Sequence, residues 1–407
     1  MLSLNKKISI YLLLFTSVIV SYLLGENSSG GSQHDYLSTK KYIDTFQIDF
    51  YEGMKLFKES SELHLPFFYL IIGNISKIIG INVLHYLYLI ISSLIPYVFY
   101  KVLKKKFTDA NYDVLFFLSI IIFLSPYFRS SAVWLTTDNL ALLFFLLSIN
   151  YFFKIEFQSK VFLINALQCF FYLVLASYIR HYYGIFFIFY FYIIYSKFDF
   201  YKNTLIILFN IVLSIPFILY INYISLDKNF SDSFWFVDFN FIFNTLFFTS
   251  LFLFYFFPFI LNKFSLSYVG LNFLPKKNII ISLIIIFFLT FIIYEIPINQ
   301  IGGGVFYKIS MLYNIDLFFI FALIGSLVLF FFTENLFRNY LMFLILIIIF
   351  PLSILFQKYY DPLIYILIFT LISSKFIDNL ITNREINLYY IGLYYLLFLI
   401  GCNVYYF

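Results

Sequence analysis

The chain begins with two lysines, Lys6 and Lys7, followed by an apolar run from Ile8 to Leu24, and the alternation of short polar borders with long apolar runs continues to its end. The first run resembles a secretory signal. It is long for one, however, and no small-x-small cleavage site follows, so it reads as a retained first span with its N-terminus in the cytoplasm. Residues 25–65 form the longest polar stretch, opened by the tract Glu-Asn-Ser-Ser-Gly-Gly-Ser-Gln and carrying Asp35, Asp44, Asp49, Glu52, Glu59 and Glu62. Residues 66–80 are apolar but carry Asn74, Ser76 and Lys77. A helix of that length covers only about 22 Å, too little for a hydrocarbon core of about 30 Å, so this segment predicts an interfacial or re-entrant helix.

A second span is expected from Val83 to Val102, ending in Lys101, Lys104, Lys105 and Lys106. Further spans are expected at 113–127, 133–153, 161–179, 182–196, 203–223, 240–261, 278–297, 314–333, 339–356, 361–374 and 387–406. With the first two, that makes thirteen.

Composition sharpens this picture. Hydrophobic residues are 63% of the 407, charged residues only 12%, and mean hydropathy is +0.93. Soluble domains run near ~25% charged, so a soluble globular protein, a disordered chain and a disulfide-stapled module are excluded. The fold class expected is all-α: a polytopic transmembrane bundle occupying 1–407 as one membrane-embedded domain, with 25–82 as a first extracytoplasmic loop carrying interfacial helices. Cys169 and Cys402 both lie within apolar runs and read as small buried hydrophobes.

Charge placement orients the bundle. Threading thirteen spans puts 16 of the 26 basic residues on the cytoplasmic side and 10 outside, five of those in the first loop and its helix. Of the 21 acids, 14 fall outside and 7 inside. This is the asymmetry expected of the positive-inside rule. Counting 66–80 as a full span would invert every later loop and spoil it.

Four polar groups stand out on the outer face: His34-Asp35-Tyr36; Ser125 to Arg129, followed by Thr136-Thr137-Asp138-Asn139; Arg180-His181-Tyr182-Tyr183, squeezed between two apolar runs; and Gly302-Gly303-Gly304 followed by Lys308. Lys358 to Pro362 lies near them in the threading. Such a set suits transfer of a group from a phosphate-linked lipid. A carboxylate at the membrane surface can act as general base on an acceptor hydroxyl. Guanidinium and ammonium groups can hold a phosphate leaving group, and ionisable groups at membrane depth are functional hypotheses by default. Each has a plainer reading too. Asp35 is one of several acids on a solvated loop, Asp138 fits an N-cap, Arg180 fits a snorkelling anchor, and Lys308 fits a loop lysine. The histidines have no metal-ligand spacing. With no Gly-Lys-Ser/Thr loop, and with basic residues mainly at membrane borders, ATP-driven transport and nucleic-acid binding are unsupported.

These residues resemble the GT-C superfamily of polyprenyl-phosphate-sugar-dependent membrane glycosyltransferases, nearest to the branch with protein O-mannosyltransferases and the lipid A aminoarabinose transferase. Three patterns carry the likeness over roughly residues 1–200. An acid, Asp35, follows the first span, and His64-Leu65-Pro66-Phe67-Phe68-Tyr69 then stands in for a His/Lys-Pro-Pro-Leu-Tyr-like element with one proline missing. An aspartate opens the fourth span in Thr137 to Phe145, and a basic residue, Arg180, lies between the fifth and sixth. Many relatives carry paired Asp-Glu in the first loop. Here Asp35 is followed by Tyr36, which leaves Asp44 and Asp49 as rivals. The large C-terminal extracytoplasmic domain of some members has no counterpart.

The resemblance implies that Asp35 is the base or acceptor-orienting acid and Asp138 the supporting carboxylate. Arg180, His181 and Lys308 would hold the donor phosphate, while His64, Tyr69, Arg129, Asp44 and Asp49 would border the acceptor cavity. It implies a polyprenyl-phosphate-linked sugar donor, a glycan, lipid or protein acceptor, inversion at the anomeric carbon, a possible divalent metal (Mg or Mn), and an active site facing outward from a bacterial inner membrane. The alternatives are an O-antigen-type polymerase or ligase, which usually carries its large loops between later spans, and a lipid-linked glycan flippase, which would need matching broken helices in two halves.

Overall fold

A computed structural model describes residues 3–60, 65–157, 162–225, 239–261, 263–298, 302–334, 336–352, 354–382 and 386–406, with only the backbone placed for 224–225 and 263–276. Among the described residues there are nineteen α-helices and no strand beyond one isolated bridge between Gly303 and Phe356. Six helices are long and apolar enough to cross a membrane: α1 (Leu4–Leu24), α5 (Ile81–Lys106), α8 (Thr137–Phe157), α11 (Phe200–Ser225), α12 (Phe241–Ile260) and α19 (Leu388–Tyr406). A seventh is reached if the pair Tyr112–Leu124 and Pro126–Val133, bent by 62°, is one span. Most of the other expected spans correspond to apolar helices of 10–17 residues.

The chain forms two compact units. The first comprises Met1–Thr108, Leu115–Phe234 and Tyr395–Phe407. In it α1 ends on Gly25 in the left-handed region (φ +67°), with the Glu26 amide donating to the Ser21 carbonyl at 2.9 Å. This glycine termination delivers Glu26 to the helix end. The expected first loop is helical: α2 (Ser32–Ile48), α3 (Phe50–Glu59), which Asp49 caps by accepting from the Glu52 amide, and α4 (Phe67–Ile79). The short helix expected at 66–80 is thus present as α4. Gly80 (φ +82°) ends it, and its carbonyl accepts the Leu84 amide of α5 at 3.1 Å.

After α6 (Tyr112–Ile120) a 3-10 turn at Ile121–Leu124 interrupts the third expected span, 113–127. Ser125 then caps α7 (Pro126–Val133), with Pro126 at its start, where a missing N–H costs nothing. α9 (Leu163–Ile179), a 3-10 turn at His181–Ile185 and α10 (Phe186–Tyr195) complete the unit with α8 and α11. Phe145 of α8 anchors this packing, its ring 4.7 Å from both Tyr183 and Phe186.

The second unit comprises Asp109–Val114 and Trp235–Tyr394. Around α12 it holds α13 (Lys263–Ile293), α14 (Val305–Tyr313), α15 (Leu317–Phe332), α16 (Phe337–Ile348), α17 (Leu363–Phe369) and α18 (Lys375–Thr382). α15 and α12 come so close at Gly325 that a Cβ there would sit 2.0 Å from the Thr249 carbonyl oxygen. α16 stops short of the run expected to 356 because Pro351 disfavours helix in the residue before it.

Candidate functional site

The site is built where the α7–α8 turn meets the end of α9. Leu135, buried between those helices, has φ +49°, a left-handed conformation that a branched side chain rarely adopts. Strain of this kind persists where the surroundings over-determine it. Here Tyr88 of α5 donates its hydroxyl to the Thr136 carbonyl and accepts the Leu140 amide at 3.3 Å, bracketing the first turn of α8. Asn139 adds hydrogen bonds to Ser92 (3.1 Å) and to the Phe128 carbonyl (3.0 Å). Asp138 thereby projects from the first turn of α8, where the helix dipole favours a carboxylate.

Asp138 accepts from the Thr136 hydroxyl at 3.1 Å and from Nη2 of Arg180, whose distances to its two oxygens are 3.0 and 3.1 Å. Arg180 sits at the C-terminal end of α9 in extended backbone. Its guanidinium is engaged through one nitrogen, and its Nε is buried without a hydrogen-bond partner among the described residues. Burial alone would weaken its charge, but Asp138 outweighs that and holds the guanidinium firmly protonated, with Tyr182 and Tyr69 also in electrostatic reach. The side chains of the pair remain 26% and 38% exposed, so the pair is open to a ligand.

His181 follows on the 3-10 turn and lines a cavity of about 380 Å³ among α9, α10 and α11, within the usual range for small-molecule sites. The walls are largely hydrocarbon, with Val174, Phe187, Ile207, Ile211 and Phe217. Their polar members are satisfied locally. Ser177 and Asn210 bond their own helices at 2.8 Å, and Tyr178 donates to the Leu213 carbonyl. Although the His181 ring is exposed to the cavity, crowding by hydrocarbon pushes its imidazole down to about 4, and the Arg180 charge adds to the effect. It is neutral near pH 7, so the positive charge at this corner comes from Arg180.

The structure brings together Asp138, Arg180, His181 and Tyr69 of those named from the sequence. Asp35 is exposed in the first turn of α2. Its neighbour Tyr36 meets His85 through a 3.2 Å hydroxyl–Nε2 contact and lies 5.8 Å, ring to ring, from Trp134, so the start of α2 is docked beside the turn leading to Asp138. Asp44 pairs with Lys40 at 2.5 Å on the exposed side of α2, and Asp49 serves as a helix cap. Lys308 lies half-buried on α14 in the second unit, below a glycine run that needs positive φ at Gly302 (+92°) and Gly303 (+77°). His64 lies outside the described residues.

Arg129 has a different place from the cavity border expected of it. It is 5% exposed and hydrogen-bonded to Glu26, at 3.0–3.3 Å, to Ser17 and Ser21 of α1, and to the Phe123 carbonyl. Asn403 of α19 reaches the same carboxylate at 3.4 Å. Burial would raise the Glu26 carboxyl, but Arg129 outweighs that and holds it below the ordinary range. Glu26 escaped the sequence reading, though an acid placed directly after a span-ending glycine is a signal that could have drawn attention to it. Tyr88 could not have been singled out among 38 tyrosines.

The Asp138 carboxylate is engaged by Arg180, and among the described residues no three His, Cys, Asp or Glu side chains are grouped to hold a metal ion. Compared with protein-family models, with curated proteins and with solved structures, the chain matches none.

Proposed function

We propose that this chain is a membrane glycosyltransferase that moves a sugar from a polyprenyl-phosphate donor to a cell-surface glycan, lipid or protein acceptor. The observation that carries the reading is Arg180, held by Asp138 through one nitrogen, with a partnerless buried Nε, beside an apolar cavity. A guanidinium so held keeps donors for a phosphate, and charge-assisted bonds of this kind are the strong ones. The hydrocarbon walls beyond His181 suit the first isoprenoid units, and neutral His181 contributes a hydrogen bond rather than charge.

In this reading Asp35 takes the proton of the acceptor hydroxyl as that oxygen bonds to the anomeric carbon. The bond from that carbon to the donor phosphate oxygen breaks, polyprenyl phosphate leaves against Arg180, and the anomeric carbon inverts. The same proposal includes the GT-C-like architecture with thirteen spans and an active site facing outward from a bacterial inner membrane. Its support is the bias of 16 basic residues inside against 10 outside.

The test is release of polyprenyl phosphate from polyprenyl-phosphate hexoses by the purified chain in lipid nanodiscs. Wild type consumes a donor. Arg180→Ala raises the donor KM at least about tenfold, the loss of a charged hydrogen bond, and Asp35→Asn abolishes turnover. Unchanged donor KM in Arg180→Ala would return that residue to a snorkelling anchor, and normal turnover in Asp35→Asn would remove its role as base.

A further inference from the structure

Asp138 and Lys154 stand near opposite ends of α8, about 24 Å apart along its axis at 1.5 Å per residue. At the Lys154 end three ammonium groups gather from two helices. Lys105, in the last turn of α5, donates to the backbone oxygen of Asn150 on α8 at 3.0 Å and to its Oδ1 at 2.5 Å. Lys101, one turn earlier on α5, and Lys154, one turn beyond Asn150, both lie within electrostatic reach of Lys105. Lys101 sits over the Tyr97 ring at 4.3 Å and Lys154 over the Tyr151 ring at 4.1 Å. Among the described residues, then, the partners of these three lysines are an amide and two phenol rings. Glu156, two positions past Lys154, leaves α8 on another face, since residues i and i+2 do not face each other. Among the described residues the charges acting on Lys105 are those of Lys101 and Lys154, and an anion seated between the three would relieve their repulsion.

What leads up to the cluster favours a lipid over a free ion. Both helices are long and apolar enough to cross a membrane. On α5 an exposed apolar stripe, Ile90 (50%), Leu94 (43%) and Tyr97 (47%), runs at helical spacing straight to Lys101. An acyl chain lying along that stripe puts its phosphate at the lysines, with tyrosines at the headgroup level where aromatic residues settle.

We propose that Lys101, Lys105 and Lys154, with Asn150, form a binding site for the phosphate of an anionic glycerophospholipid. The site is independent of the glycosyltransferase reading and lies at the other end of α8 from Arg180.

Native mass spectrometry of the full chain, released from detergent with added dioleoyl phosphatidylglycerol or dioleoyl phosphatidylcholine, tests it. Wild type retains phosphatidylglycerol in preference. Lys101→Gln and Lys154→Gln each lower that preference about fivefold, the effect of one lysine near an anionic surface. The Lys101→Gln/Lys154→Gln pair, which leaves the Lys105–Asn150 anchor in place, abolishes it, and Lys101→Arg/Lys154→Arg preserves it. Lys41→Gln/Lys55→Gln, on α2 and α3, has no effect. Equal retention of the two lipids by wild type, or an unchanged preference in the double glutamine variant, overturns the site. Displacement of the lipid by millimolar inorganic phosphate overturns its assignment to a lipid.

Discussion

Two arginine–carboxylate pairs lie within the first unit, and they are built to opposite ends. Arg129 and Glu26 are 7% and 12% exposed in their side chains, and every guanidinium nitrogen of Arg129 has an acceptor. The pair ties α1, α7 and α19 together and leaves no donor for anything else. Arg180 and Asp138 are 26% and 38% exposed and joined through one nitrogen, and the residue after Arg180, His181, lines a cavity. A saturated ion pair fixes the fold; an unsaturated one at a cavity's edge is where a ligand can still gain something.

The comparison can be broken most decisively at Asp138. Asp138→Asn keeps the size of the side chain but removes the charge that orients Arg180. It should lower sugar transfer about a hundredfold, the scale of a group displaced by about 1 Å from its working position, with little change in thermal unfolding. A variant that transfers sugar normally would make the second pair as structural as the first.

Glu26→Gln should do the reverse. Leaving Arg129 as an unpaired buried charge costs about 3–5 kcal/mol, read as a large drop in the unfolding midpoint. The double variant Glu26→Gln/Arg129→Met should recover part of that loss, because the stranded charge is gone. No recovery would mean that Arg129 matters for more than its pairing.

Acid titration sharpens the contrast further. His181 binds its proton less readily when folded, so stability falls as pH drops from about 6.5, the unfolded value, to about 4. Glu26 has a depressed carboxyl pKa, so its contribution is present above the ordinary carboxylate range and lost as pH falls below it. His181→Gln should remove the upper limb of a stability–pH curve and Glu26→Gln the lower. At the small end, Asp44→Asn removes an exposed pair that is 43% and 44% accessible and should change stability by less than about 1 kcal/mol. A larger effect, or loss of transfer, would restore Asp44 as a rival to Asp35.

Much of the fold was legible because membrane-length apolar runs announce themselves without partners. The first apolar run, the short helix at 66–80 and the basic borders follow from local composition alone. Breaks were harder to read. The 62° bend at Ser125–Pro126 lies inside an apolar stretch whose average hydropathy hides it. Of the candidate site, Asp138 and Arg180 were conspicuous as rare charges beside apolar runs, but their 3.0 Å ion pair is visible only in the structure. Arg129 was equally conspicuous, yet its partner Glu26 is 103 residues away in sequence and no local pattern links them.

By itself, then, the sequence determined that the chain is helical and apolar enough for a membrane, and which few charges it could spend, since burial of backbone groups in lipid permits little else than helices. Only the tertiary structure decided which charges were already satisfied. Whether an arginine has spare donors depends on side chains arriving from helices far apart in sequence, and that accounting closes in three dimensions alone.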